Sequence, residues 1–141
     1  MSLKLGKNAQ GAFILILFAL VSAPSISAEE LPYPPTYFSI FRVDLSVALD
    51  VAKNCQNIDI DREKYEELSE EQMRMLERDG FSPENWRSEM KDVPAGLRDR
   101  PRVEFYMKWG VEAGDPQSYC HAGKMEISNR TTIGSLLVLT Q

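Results

Sequence analysis

The two cysteines constrain the fold of this chain more than any other pair of residues. Cys55 and Cys120 are 65 positions apart, so a bond between them would tie the end of an early apolar stretch to the last third of the chain. Closing a loop of that length stabilises a fold by about 4 kcal/mol in the chain-entropy treatment. Two cysteines allow either one intramolecular disulfide or two buried free thiols, and the cellular compartment decides between them.

The N-terminus has the three-part pattern of a secretory signal peptide. Lys4 and Lys7 precede an apolar run over residues 12–21, Pro24 ends the run, and small residues lead up to Ala28. We therefore predict a signal peptide over residues 1–28 and a periplasmic or secreted mature protein. The run is shorter than the about 20 apolar residues of a membrane span, which disfavours the alternative of an uncleaved anchor. Because disulfides persist in oxidising compartments, we predict the disulfide rather than free thiols.

The charge of the mature chain argues against two classes of partner. Loss of Lys4 and Lys7 with the signal peptide takes the net charge from −5 to −7. Nucleic-acid binders need clustered cations that displace counterions from phosphates, so no nucleic-acid partner is expected. We also expect no stable membrane insertion after cleavage.

The mature chain is predicted to be a proline-rich linker, residues 29–35, followed by a single helical domain, residues 36–141. Closely spaced prolines in the linker forbid a helix there. Over residues 36–54 the polar side chains recur every three or four positions on one narrow stripe, and the rest of the circumference is apolar. This pattern predicts a central helix that is covered by others on several sides.

Asp44 breaks the pattern of that helix, because it falls within the apolar arc. A buried carboxylate must be paired, hydrogen-bonded or protonated. The favoured interpretation is an internal pair with an Arg or Tyr of a later helix. The alternative is a candidate buried carboxylate at the wall of a ligand pocket.

Helix start and stop signals place the remaining elements. We predict an acidic, solvated helix over residues 61–79, a short helix from Ser82 to just before Pro94, a helix over residues 101–113, and a fifth that begins at Asp115-Pro116. Residues 132–139 are predicted to form either a short helix or an extended segment. The expected fold is all-α, an orthogonal or bundle-like packing of about five helices stapled by one disulfide.

Arg98, Arg100 and Arg102 form a short basic run ahead of the predicted fourth helix. Such a run is either a small anion-binding patch or a solvated lead-in to the helix, and the second interpretation is favoured.

The residue types needed for common enzyme chemistry are missing or badly placed in the sequence. His121 is the single histidine, and it follows Cys120 directly, so the two side chains diverge by about 100° on a helix. One histidine without a cysteine cluster does not match a recognised zinc site, and no phosphate-binding glycine loop or Cys-x-x-Cys motif occurs. We predict no catalytic, metal-binding or cofactor-binding residues, no cofactor, and a protein that is not an enzyme.

The last third of the chain carries a distinctive motif. It comprises Gly114-Asp115, Ser118-Tyr119-Cys120, Gly123, Glu126-Ile127 and Thr132-Ile133-Gly134-Ser135-Leu136-Leu137. This motif resembles a family of small exported alphaproteobacterial proteins that is known only as a domain of unknown function. The resemblance implies a periplasmic location and paired cysteines, and it transfers no catalytic residues.

Three functions are compatible with these features. The favoured one is a non-enzymatic binding or accessory module that presents a helical surface to a periplasmic protein partner. The second is a small-ligand carrier with a pocket between the apolar helices and Asp44 at its wall. The third is a hydrolase that depends on carboxylates.

Overall fold

The computed structural model describes residues 30–140; the predicted signal peptide lies outside that range. The described residues form six helices and one two-stranded sheet. In chain order these are α1 (Thr36–Asn54), β1 (Ile58–Ile60), α2 (Arg62–Arg78), α3 (Trp86–Glu89), α4 (Ala95–Trp109), α5 (Pro116–Asn129), α6 (Thr132–Ser135) and β2 (Leu137–Leu139). The all-α prediction is confirmed, with the small sheet as an addition to it.

Helix α1 is central, as its apolar circumference predicts, and contacts α4, α5, α6 and β1. The main core is built on its C-terminal half, where Val47, Ala48 and Val51 are buried. Tyr119 and Leu136 are buried in the same cluster. The last quarter of the chain therefore supplies much of the surface that covers α1.

A second, smaller core covers the N-terminal half of α1. It consists of Phe38, Leu76 and Met90, with Trp86 packed against its edge. The rings of Phe38 and Trp86 meet edge to face with their centres 4.9 Å apart. This cluster attaches α2, of which only Leu76 is buried, to the central helix.

The disulfide prediction is confirmed by the distance between the two sulfurs. Cys55 Sγ and Cys120 Sγ are 2.03 Å apart, and their Cα atoms are 5.0 Å apart. Cys55 is the residue that ends α1, and Cys120 lies in the first turns of α5. The bond therefore links the central helix to the helix that covers it.

The sheet was not predicted from the sequence. Strands β1 and β2 pair antiparallel, with Ile58 opposite Leu139 and Ile60 opposite Leu137. Strands of three residues are too short for their alternation to be distinguished from a loop. Both alternatives for residues 132–139 are present in succession, because α6 is followed directly by β2.

Helices α3 and α4 depart most from the predicted boundaries. The predicted helix from Ser82 is reduced to Trp86–Glu89, and Asn85 precedes it without a side-chain capping hydrogen bond. Helix α4 begins at Ala95, not at Pro101, so Pro101 and the arginines around it lie inside the helix. Proline is common at the first helical position, and that rule placed the start two turns late. The helix also ends early, because Gly110 adopts a left-handed conformation with φ of 62°.

Two glycines permit close packing in the C-terminal third. A Cβ atom built on Gly123 would lie 2.6 Å from side-chain atoms of both Val51 and Ile58. A Cβ built on Gly134 would lie 2.0 Å from the backbone carbonyl oxygen of Glu126. The second contact is the stricter one, because a backbone atom cannot move aside as a side-chain terminus can.

We expect Gly134→Ala to destabilise the protein by about 3 kcal/mol, because it forces α6 away from α5. Gly96→Ala is the matched control: nothing lies within 4 Å of its Cβ position, and it should change the free energy of unfolding by less than about 1 kcal/mol. Urea unfolding of both variants with the disulfide intact measures the difference. Equal stabilities would show that α5 and α6 do not pack as described.

Candidate functional site

A groove of about 560 Å³ lies between the N-terminal half of α1 and the first half of α4. Its walls come from three segments. Helix α1 contributes Thr36, Ser39, Ile40, Val43 and Asp44; α4 and the residue before it contribute Pro94, Leu97 and Pro101; Tyr33 and Pro34 belong to the segment that leads into α1. Most of this lining is aliphatic or proline, with a few polar groups from α1.

The groove exists because the apolar circumference of α1 is not completely covered. Ile40 is 54% exposed and Leu97 is 61% exposed, although the sequence predicts a central helix enclosed on several sides. Pro101 lies inside α4 and has no N–H, so the carbonyl of Leu97 lacks its usual i+4 donor. The open strip on α1 thus faces a stretch of α4 that is itself irregular in its hydrogen bonding.

Asp44 lies in the groove wall, half-buried, and the structure does not give it the partner that the sequence led us to expect. Among residues 30–140, no side-chain hydrogen bond or ion pair to Asp44 is found. Burial, together with the nearby charge of Glu126, raises the pKa of its carboxyl to about 6. Asp44 is therefore a half-buried carboxylate without a counter-charge at the edge of an apolar groove.

The pair that was expected at Asp44 occurs six residues further along α1, at Asp50. The Asp50 carboxylate accepts hydrogen bonds from the guanidinium of Arg102 and, at 2.7 Å, from the hydroxyl of Tyr106. Burial and the hydrogen bond to Asp50 both raise the pKa of Tyr106. Asp50 lies on the polar stripe of α1, so position on the helix did not distinguish a paired aspartate from an unpaired one.

A second carboxylate, Glu126, is only 3% exposed and was missed in the sequence. It accepts hydrogen bonds from the indole N–H of Trp109 at 2.5 Å, from the Lys108 ammonium at 3.3 Å, and from the hydroxyl of Thr131. Its burial could have been predicted from its spacing: Glu126 follows Tyr119 by seven residues and so lies on the same buried face of α5. With three donors bound to it, Glu126 has a structural role and is not a free group for chemistry.

The other residues singled out in the sequence lie apart from the groove. Cys120 is engaged in the disulfide, and His121 is exposed, with its ring edge-on to that of Trp109 at 6.4 Å between centres. No group of three or more His, Cys, Asp or Glu side chains able to hold a metal ion is found within residues 30–140.

The fold and the groove together define a small helical domain, stapled by one disulfide, with an open apolar groove beside its central helix. Residues 37–138 match the family of unknown function DUF5333, and the chain belongs to that family. The chain has no match among curated proteins and none among solved structures. Over residues 30–140, no helix is long and apolar enough to cross a membrane.

Because Asp44 is charged at neutral pH in a site that disfavours charge, we expect Asp44→Asn to stabilise the protein at pH 7.5. The shift of the pKa from 3.8 to about 6 corresponds to about 3 kcal/mol when fully buried. Partial exposure reduces the expected gain to about 1–2 kcal/mol.

The gain in the free energy of unfolding from Asp44→Asn should depend on pH in a defined direction. Between pH 3.8 and about 6, the folded protein binds the Asp44 proton more tightly than the unfolded chain does, so wild-type stability falls as the pH rises through that window. The advantage of Asp44→Asn should therefore disappear near pH 4. Urea unfolding at pH 7.5 and pH 4 measures the difference, with Glu71→Gln as the exposed control. A gain that persists at pH 4 would contradict this account of Asp44.

Proposed function

We propose that this protein is an exported, non-enzymatic binding protein that holds a small ligand with an apolar body and a cationic group in the groove between α1 and α4. The single observation that carries the proposal is the unpaired, half-buried carboxylate of Asp44 in the wall of an otherwise apolar groove.

The apolar part of the ligand is inferred from the size and lining of the groove. Its volume of about 560 Å³ lies within the range of about 300–1,000 Å³ typical of small-molecule sites. Such sites combine an apolar lining with a few polar groups that orient the ligand. Ser39 and Thr36 are polar side chains in this lining, beside the aliphatic surface of Ile40 and Leu97.

The cationic part is inferred from Asp44. With a pKa of about 6, this carboxyl is ionised at neutral pH and lacks a counter-charge among the described residues. A ligand amine would supply the missing partner through a charge-assisted hydrogen bond, which is worth about 1.5–3 kcal/mol. An anionic ligand would instead be repelled by Asp44.

Two further features support export and a role without catalysis. The signal-like pattern of residues 1–28 and the disulfide are both compatible with a periplasmic or secreted location. Asp44 is the one carboxylate among the described residues that line the groove. Acid–base and nucleophilic catalysis generally require a second positioned group, so binding is the simpler role for this site.

A second candidate function, docking of a periplasmic protein partner, is favoured by a different surface. Val103 and Met107 lie one turn apart on α4 and are 51% and 79% exposed. Neither lines the groove. Two large apolar side chains on one exposed helix face are the kind of anchor that partner proteins bury.

Dansylcadaverine, which joins an aromatic group to a primary amine, tests the ligand proposal. We expect saturable binding at pH 7.5, seen as enhanced dansyl fluorescence, and binding that is at least tenfold weaker for Asp44→Asn because the charge pair is lost. Leu97→Gln should also weaken binding, because it removes apolar contact. Binding should weaken as the pH falls below about 6, where Asp44 becomes protonated.

Met107→Gln is the matched control, since Met107 is on the same helix but outside the groove; it should leave dansylcadaverine binding unchanged. N-acetyl dansylcadaverine, in which the primary amine is converted to an uncharged amide, should bind wild type and Asp44→Asn alike. Equal binding of the amine to wild type and Asp44→Asn would refute the role of Asp44.

If the exposed face of α4 binds a partner protein, Met107→Gln and Leu97→Gln should have the opposite effects on partner binding from those on dansylcadaverine binding. Met107→Gln should abolish recovery of a specific partner from periplasmic extract by the tagged protein, whereas Leu97→Gln should retain it. Loss of the partner only in Leu97→Gln would instead assign partner binding to the groove and reject the α4 face.

A further inference from the structure

Three arginine side chains converge on a second, smaller pocket that the proposed function does not use. The pocket has a volume of about 180 Å³ and lies where α1, α4 and the segment before α4 meet. It is lined by Arg42, Val43, Ser46, Asp92, Val93, Arg98 and Arg102. We propose that this pocket binds a small tetrahedral oxyanion of the phosphate class, either free or as the terminal group of a phosphomonoester.

Arg102 supplies the first reason for the proposal. One of its terminal nitrogens donates to Asp50, but its Nε–H is buried and has no acceptor among the described residues. A buried donor left without an acceptor is unfavourable by about 1–3 kcal/mol, and such groups are rare in native proteins. An oxyanion in the pocket would provide the acceptor that the protein lacks once a small shift of the Arg102 side chain exposes its Nε–H to the pocket.

Arg42 supplies the second reason, because it is held in place without being neutralised. Its guanidinium lies 5.4 Å from the ring centre of Trp86 and 6.0 Å from that of Phe38. No carboxylate pairs with it within residues 30–140. Stacking on aromatic rings restricts the guanidinium while leaving its N–H groups free, which is a common arrangement for phosphate recognition.

Arg98 completes the donor set. Its Nε–H donates to the adjacent Asp99 at 2.9 Å, which leaves its terminal N–H groups for a ligand. Ser46 already donates its hydroxyl proton to the carbonyl of Val43 at 2.9 Å, so it does not act as a donor here. The arginines therefore account for the expected recognition of the anion.

The size and charge of the pocket define what it would accept. A volume of about 180 Å³ equals about six water molecules at roughly 30 Å³ each, which suits a single phosphate group and little more. Asp92 is the one carboxylate among the lining residues and opposes an anion. Its presence predicts modest affinity and provides a substitution that should strengthen binding.

The test is a titration of the ¹⁵N-labelled, oxidised protein with sodium phosphate at constant ionic strength, followed by NMR. We expect saturable shifts of the arginine Nε–H signals and of the Trp86 indole signal, because Trp86 stacks on Arg42. The Trp109 indole, which donates to Glu126 and lies outside the pocket, should not shift. Shifts that never saturate, or that affect both indoles alike, would overturn the proposal.

Variants that change the charge of the pocket should change the affinity for phosphate in a predicted direction. Arg98→Gln and Arg42→Gln should each weaken phosphate binding about tenfold, and Asp92→Asn should tighten it about threefold. Arg100→Gln is the matched control, because Arg100 is on the same helix, pairs with Glu104 at 2.9 Å and does not line the pocket. Equal losses in Arg98→Gln and Arg100→Gln would mean that phosphate senses only the overall charge and would reject the site.

The unshifted Trp109 indole also reports that each variant is folded. Asp92→Asn introduces no cavity and removes no described hydrogen bond, so it tests the site even if Arg42→Gln unfolds. Glycerol 3-phosphate distinguishes the two sources of the anion: tighter binding than inorganic phosphate indicates the end group of a larger ligand, and equal binding indicates the free ion. This pocket adjoins the groove and shares Val43 with it, but Asp44 and the arginines belong to different linings. A negative result here would therefore not affect dansylcadaverine binding.

Discussion

The carboxylate of Glu126 is the interaction on which the C-terminal half of the structure depends. A buried charge is tolerated only when it is fully hydrogen-bonded, and Glu126 meets that requirement with donors from two other segments. Lys108 and Trp109 come from the end of α4, and Thr131 comes from the turn before α6. The backbone carbonyl of the same residue lies against Gly134. One residue thus fixes the relative positions of α4, α5 and α6, and the disulfide connects that assembly to α1.

Several motif residues of the last third have structural roles. Gly114 adopts φ of 87° before α5, and Asp115 caps that helix by accepting from the backbone N–H of Gln117 at 3.0 Å. Gly123 allows α5 to approach α1 closely, and Leu136 is fully buried in the core. These four residues support the fold of this protein, whatever it binds. Function is therefore better sought in the groove and the arginine pocket, both of which lie outside the motif.

The sequence was sufficient for those parts of the fold that depend on local rules. Helical periodicity located α1, and an aspartate followed by proline located the start of α5. The even number of cysteines and the expected oxidising compartment predicted the disulfide. The same rules failed at Pro101, because tertiary packing tolerates a proline inside α4 that local propensity would place at its start. For the candidate site, periodicity identified Asp44 as unusual. It did not reveal that Asp50 takes the available Arg and Tyr, since pairing between helices 50 or more residues apart is a property of the packed structure.

The covering of α1 by α5, α6 and β2 has a consequence for the order in which the chain can fold during synthesis. The partners of the apolar surface around Val47 and Val51 include residues of α5, α6 and β2, so many of the contacts that stabilise the core join residues far apart in sequence. Such contacts form late, because the loop between them must close first. An emerging chain can therefore complete the smaller core of Phe38, Leu76 and Met90 first, and it lacks the main core until α5, α6 and β2 have been synthesised.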